Sequence, residues 1–215
     1  MTGTPVPPTA ALDPAFETLE AGAPLVRIYD RHYSPDEFNP TAGSARFRPV
    51  YDSRGAIVPT AYGAHDPETA ISEAVLRGVT ALHTGIPRRR LYRLELEGLR
   101  LAVLRADRPL RLVRLHGAGL TRLGILRSDL IDSAESEYSY TAEWAQALYG
   151  LRERPHGLAW TSRQNDSARA FMLWGGHRVQ RTWLRLDGDP IELDSDPGLD
   201  LVRAVCADAG VDVEA

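Results

Sequence analysis

The apolar positions of this chain switch between two periods, and the switches predict the elements. "APLVRIYD" (23–30) reads as a strand with Arg27 inside it, and "PTAYGAH" (59–65) as a short buried strand. Between them "HYSPDEFNPTAGSARF" is turn-rich and predicts a loop crossing a cleft. "DPETAISEAVLRGV" (66–79) carries helical spacing at Ile71, Ala74, Val75 and Gly78. Asp66 can cap it, Pro67 suits its first position, and Glu68 meets the positive end of its dipole. "RRLYRLELEGL" (89–99) and "LAVLRA" (101–106) predict a hairpin around Gly98, and "LRLVRL" (110–115) a further strand. "GAGLTRLGI" (117–125) predicts a short helix or turn, "YTAEWAQALYGLRE" (140–153) a helix, and "HGLAWTS" (156–162) a strand. "NDSARAFMLW" (165–174) reads as a short helix, "HRVQRTWLRLD" (177–187) as a strand, and "GLDLVRAVCADAG" (198–210) as a closing helix. The expected class is α+β, with a central mixed or antiparallel β core flanked by helices in one domain, residues 23–215. Residues 1–22, rich in Pro, Thr and Ala, read as a flexible arm.

Composition narrows the chemistry. The first residues lack the basic and apolar regions of a signal peptide, and no apolar run approaches the roughly 20 residues of a membrane span. With one cysteine, Cys206, an internal disulfide and a cysteine-rich zinc site are excluded. A cytoplasmic location is the expectation, with no membrane partner. All 25 basic residues are arginine. A Walker-type phosphate loop and a pyridoxal-phosphate Schiff base both need lysine, so both are excluded. The formal charge of −4 gives no global drive toward nucleic acid, and no direct nucleic-acid binding is expected. Anion recognition must be local and carried by arginine, whose planar fork matches phosphate oxygens. "RRRLYRL" and "RPLRLVRLHG" read as a solvated sheet face.

Neither GxGxxG, HExxH nor GxSxG is present, and the histidines stand singly. "DGDPIELDSD" lacks the glycine and terminal glutamate of a calcium loop in register. No metal site is expected. What remains is a set of polar residues in apolar settings. Arg27 lies inside a strand, where pairing with Asp30 or Asp36 is the plainer role. Arg46 and Arg48 flank Phe47. Tyr62 sits in "AYGA", whose small residues leave space over its ring. Glu73 is on the capped helix, where an exposed ion pair with Arg77 four residues on is the alternative. Ser162 shares one side of its strand with Leu158 and Trp160; capping of the next turn is its alternative.

Taken in order, these stretches resemble the RES domain family, named for arginine, glutamate and serine. The matching segments are "VRIYD", "ARFRP" (family pattern G-R-F-x-P), "TAYGAHDPETAISEAV", "LRLVRLHGAGLTRLGI", "YTAEWAQAL" and "HGLAWTSRQNDSARAF". They run from about residue 24 to 186. Ala45 stands where the pattern has glycine. The resemblance implies a fold similar to ADP-ribosyltransferase toxins and a toxin of a toxin–antitoxin pair that degrades NAD. The reaction implied is phosphorolysis to nicotinamide and ADP-ribose 1''-phosphate, or hydrolysis. It also implies a helix-turn-helix antitoxin of the Xre type as partner, and a homodimer is possible. NAD is then the substrate and inorganic phosphate the co-substrate, with no prosthetic group. Arg27, Glu73 and Ser162 are the expected catalytic residues, and Arg46, Tyr62, Phe47, Arg163 and Asn165 the expected substrate contacts. Two other readings stay open: a mono-ADP-ribosyltransferase acting on a protein, and a decayed module that only binds a partner.

Overall fold

The computed structural model of the protein describes residues 12–43, 45–79, 89–163, 165, 166 and 168–215, together with Pro7. Its strands and helices are numbered in chain order. Nine described strands form one large sheet. β1 (Phe16–Leu19) lies at an edge beside β6 (Leu110–Leu115), and β6 pairs in parallel with β7 (Gly157–Thr161). β8 (Arg169–Trp174), β3 (Thr60–Ala64), β2 (Pro24–Asp30) and β5 (Leu99–Ala106) follow, each antiparallel to its neighbour. β9 (Leu184–Leu186) and β10 (Ile191–Glu192) both pair with the outer side of β5. β4 (Arg90–Tyr92) and β11 (Asp212–Glu214) make a separate parallel pair. The parallel step from β6 to β7 needs a long crossover, and α2 (Ala118–Leu123), α3 (Arg127–Leu130) and α4 (Tyr138–Tyr149) supply it. α1 (Pro67–Ala74) follows β3, and α5 (Gly198–Asp208) packs against it. The architecture is the α+β mixed sheet that the sequence predicts. Among the described residues no helix is long and apolar enough to cross a membrane.

Four expectations need correction. The stretch read as an arm contributes β1, whose Phe16–Leu19 register against Val113–Leu110 ties it to the sheet; residues 1–6 and 8–11 of that arm lie outside the described residues. No hairpin forms around Gly98: β4 pairs with the C-terminal β11 instead, and a 3-10 turn over Arg93–Leu96 separates it from β5. The described residues of 165–174 form no helix. "RAFMLW" forms β8, where a continuous apolar run is what a strand buried on both faces requires. Only Leu184–Leu186 of 177–187 is strand, after a 3-10 turn at Arg181–Trp183.

Period-2 alternation sorts the core onto two faces. Leu158, Trp160, Ala170, Met172 and Trp174 pack under α2 and α4 with Trp144 and Leu148. Val26 and Ala64 continue that face under α1 and α5. Leu25, Ala159, Phe171 and Leu173 fill the opposite face with Phe38 and Leu104.

One histidine ties pH to this fold. His156, just before β7, accepts the Arg111 N–H on Nδ1 at 2.8 Å. Burial, with Arg178 and Arg111 nearby, holds its basicity below the usual value. Unfolded, it takes a proton near pH 6.5. Its contribution is therefore present above that pH and lost on acidification, because the unfolded chain binds the extra proton. His116 is lowered in the same sense by burial. His156→Asn keeps an acceptor near Nδ1 and cannot be protonated. Melts from pH 7.5 to 5 are expected to fall less steeply for the variant; identical slopes would remove His156 from the linkage.

Candidate functional site

The site grows from α1. Asp66 Oδ1 accepts the Thr69 N–H at 2.7 Å, and Pro67 and Glu68 fill the first turn, as the sequence predicts. Such a cap is worth about 1 kcal/mol. With Thr69, Ala70, Ile71 and Ser72 buried, Glu73 is left half-buried beside the sheet. There Glu73 Oε1 accepts the Ser162 hydroxyl at 2.6 Å and the Arg163 backbone N–H at 2.9 Å. Ser162 is fully buried, and its Oγ accepts the Asn165 N–H at 3.1 Å. The end of β7 thus clasps one oxygen of the carboxylate. Asn165 Nδ2 reaches Glu68 and Thr69, both at 3.2 Å, which ties the loop after β7 back to the start of α1.

Beside Glu73 lies a cavity of about 180 Å³. It exists because its walls are short: Ala45, Gly63, Ala64, Ala70, Ala74 and Ala170 leave the volume that larger side chains would fill. Tyr62 and Trp160 supply its aromatic surface, with ring centroids 6.4 Å apart, edge to face. Tyr62 donates its hydroxyl to the Arg46 carbonyl, and burial pushes that phenol well above its usual range. It is a neutral donor and a ring, not a base.

Arg46 enters from the loop. Ala45 and Arg48 bridge across a tight turn, at which Phe47 takes φ 69°. A left-handed non-glycine residue costs about 1–3 kcal/mol. Complete burial of the Phe47 ring against Trp160, at 5.3 Å, and the bond from its N–H to Thr141 Oγ1 at 3.1 Å offset that. The turn sends Arg46 into the cavity and Arg48 away from it, where Arg48 donates to the Thr41 carbonyl. Arg46 is 5 % exposed, and its Nε has no hydrogen-bond partner. Desolvation lowers its basicity, and Glu73 is the first group to oppose that. Arg77 lines the same cavity.

The structure brings together Glu73, Ser162, Arg46 and Tyr62. It does not bring Arg27 to them. Val26 and Ile28 line the cavity, and alternation turns Arg27 to the opposite face, where it donates to the Pro35 carbonyl at 3.0 Å and to that of Glu37. Burial lowers its pKa to about 10, still cationic at neutral pH. Phe47 is core rather than cavity wall. Arg163 contacts the carboxylate through its backbone while its side chain donates to the Ser133 carbonyl at 3.2 Å, and Asn165 buttresses the clasp. Sequence reasoning set Arg77 aside as an exposed partner of Glu73. The signal was the spacing itself, which puts both on one face. Tyr138 and Thr141, from the crossover, carry no local signal and were missed.

A carboxylate, a guanidinium whose Nε is buried without a partner, and two aromatic rings line one cavity, a set of groups suited to an anionic ligand with a flat ring. A profile described as the RES domain matches residues 24–194, and the chain belongs to the RES domain family. Its fold is similar to that of a chain in the crystal structure of the M. tuberculosis MbcT–MbcA toxin–antitoxin complex, with TM-score 0.61 and 16% identity over 88% of this chain and 92% of that one. Among curated proteins no match is found.

Proposed function

We propose that the protein is the toxin of a toxin–antitoxin pair and cleaves NAD at its nicotinamide–ribose bond, with inorganic phosphate as acceptor. The observation that carries the chemistry is the buried Arg46, without a partner for its Nε, facing Glu73 across an aromatic-walled cavity. Nicotinamide leaves as a neutral molecule when the bonding pair moves onto its cationic ring, so no general acid is needed. The ribose carbon left behind passes through an oxocarbenium-like state. Glu73 stabilises that positive charge, held in place by Ser162 and the Arg163 N–H. Tyr62 and Trp160 offer faces for the nicotinamide ring. Arg46 binds phosphate oxygens by charge-assisted bonds. A new bond from a phosphate oxygen to the ribose carbon completes ADP-ribose 1''-phosphate.

A toxin role and a protein antitoxin are supported by the toxin–antitoxin complex of similar fold; a helix-turn-helix antitoxin of the Xre type is the partner this reading expects. The test is nicotinamide release from NAD by the purified protein, freed of any partner, at zero and millimolar phosphate. Release that rises with phosphate is the expected result. Equal release without phosphate would point to a hydrolase or a transferase, and no release would overturn the enzymatic reading.

A further inference from the structure

Arg77 sits on the 3-10 turn Leu76–Gly78 that follows α1, one turn beyond Glu73. Three contacts hold its head. It donates through Nη2 to the Tyr138 hydroxyl, its guanidinium carbon lies 4.9 Å from the centre of the Tyr138 ring, and Glu135 stands 3.6 Å away. None of these uses Nε, which is buried without a hydrogen-bond partner. Arg77 therefore shares with Arg46 a buried Nε without a hydrogen-bond partner, on a side chain that lines the same cavity. The two differ in depth. Arg46 is 5 % exposed, whereas the Arg77 side chain is 29% exposed and its partner Glu135 65% exposed. Arg46 belongs to the floor and Arg77 to the mouth. Burial lowers the basicity of both, and their mutual repulsion lowers that of Arg77 further. Among the described residues Glu73 is the one carboxylate in the cavity wall, and its Oε1 already accepts two hydrogen bonds. Two guanidinium groups, Arg46 and Arg77, thus stand against one carboxylate in the cavity wall.

We propose that Arg77 is the diphosphate subsite of this cavity and makes the site select a dinucleotide over smaller nicotinamide compounds. This rests on the NAD reading above. The cavity, at about 180 Å³, is smaller than the roughly 300–1,000 Å³ that encloses a whole drug-sized ligand. It accepts one end of a dinucleotide, the nicotinamide and its ribose beside Glu73. The diphosphate then falls at the mouth, where Arg77 is already oriented and pays little further rotamer entropy for bidentate contact. Arg46, deeper, is left for the acceptor phosphate.

The experiment compares wild type, Arg77→Gln and Arg77→Lys with NAD as substrate and both products as inhibitors. Arg77→Gln is expected to raise KM for NAD about 10–30-fold with kcat nearly unchanged, the scale of a lost charge-assisted pair. Inhibition by ADP-ribose weakens by the same factor, and inhibition by nicotinamide does not. Arg77→Lys, which keeps the charge and loses the fork, falls between. An unchanged KM, or equal weakening of both inhibitors, would overturn the assignment. Should wild type release no nicotinamide, the NAD reading fails, and the subsite is judged by calorimetry with inorganic pyrophosphate. Binding that Arg77→Gln loses upholds it; no binding by wild type overturns it.

Discussion

Glu73→Gln is expected to lower nicotinamide release by about 10³-fold, the upper range for removing one electrostatic stabiliser of a transition state, while the melting temperature stays with that of wild type. The separation of the two effects follows from the hydrogen bonds. Glu73 Oε1 is an acceptor twice, from the Ser162 hydroxyl and the Arg163 N–H. The amide oxygen of glutamine can accept both, so the clasp between α1 and the end of β7 survives. What is lost is the negative charge that the proposed mechanism sets against the ribose carbon, felt chiefly in the transition state. Nicotinamide release and a thermal melt on the same preparation decide it. A fully active Glu73→Gln protein would take glutamate out of the mechanism. An inactive and unfolded one would show that the carboxylate serves the fold.

Arg46→Met is expected to show the opposite coupling. Turnover at limiting phosphate weakens by about 2 kcal/mol or more, roughly 30-fold, while the melting temperature holds or rises. Methionine keeps most of the aliphatic stem that fills the space beside Tyr62. It removes a guanidinium whose Nε is buried without a partner and whose basicity burial lowers. A buried cation in that condition costs the fold stability, so exchange for an apolar chain of similar length is neutral or favourable. Initial rates across NAD and phosphate concentrations, with calorimetric melting, test both halves. Unchanged turnover would remove Arg46 from the site, and a large fall in melting temperature would make it a structural residue.

The helix that carries Glu73 is legible because its signals are local: Asp66, Pro67 and Glu68 within three positions, then an apolar face. The strand ending at Ser162 is equally readable from alternation. β8 is not, since an apolar run of five suits a buried strand and a buried helix alike, and only its place between β7 and β3 decides. β4 is misread for a related reason. Its partner β11 lies over a hundred residues away, and a pairing of that range leaves no mark on either segment. At the site, residue types and order reveal Glu73, Ser162, Arg46 and Tyr62 as a group. Which face Arg27 occupies depends on the register of β2 against β5, and that follows from tertiary pairing.

β8 also bears on the timing of synthesis. Glu73 follows β3 in the chain and Ser162 follows β7, but in the sheet β8 lies between those two strands. A nascent chain that has emerged only to Ser162 holds every catalytic candidate and still lacks the strand that sets them at bonding distance. The pair closes only after Trp174, the last residue of β8, has left the ribosome. Products of translation that end before Trp174 are thus expected to lack the Glu73–Ser162 hydrogen bond however many site residues they contain, and the site is completed late, with the folded sheet.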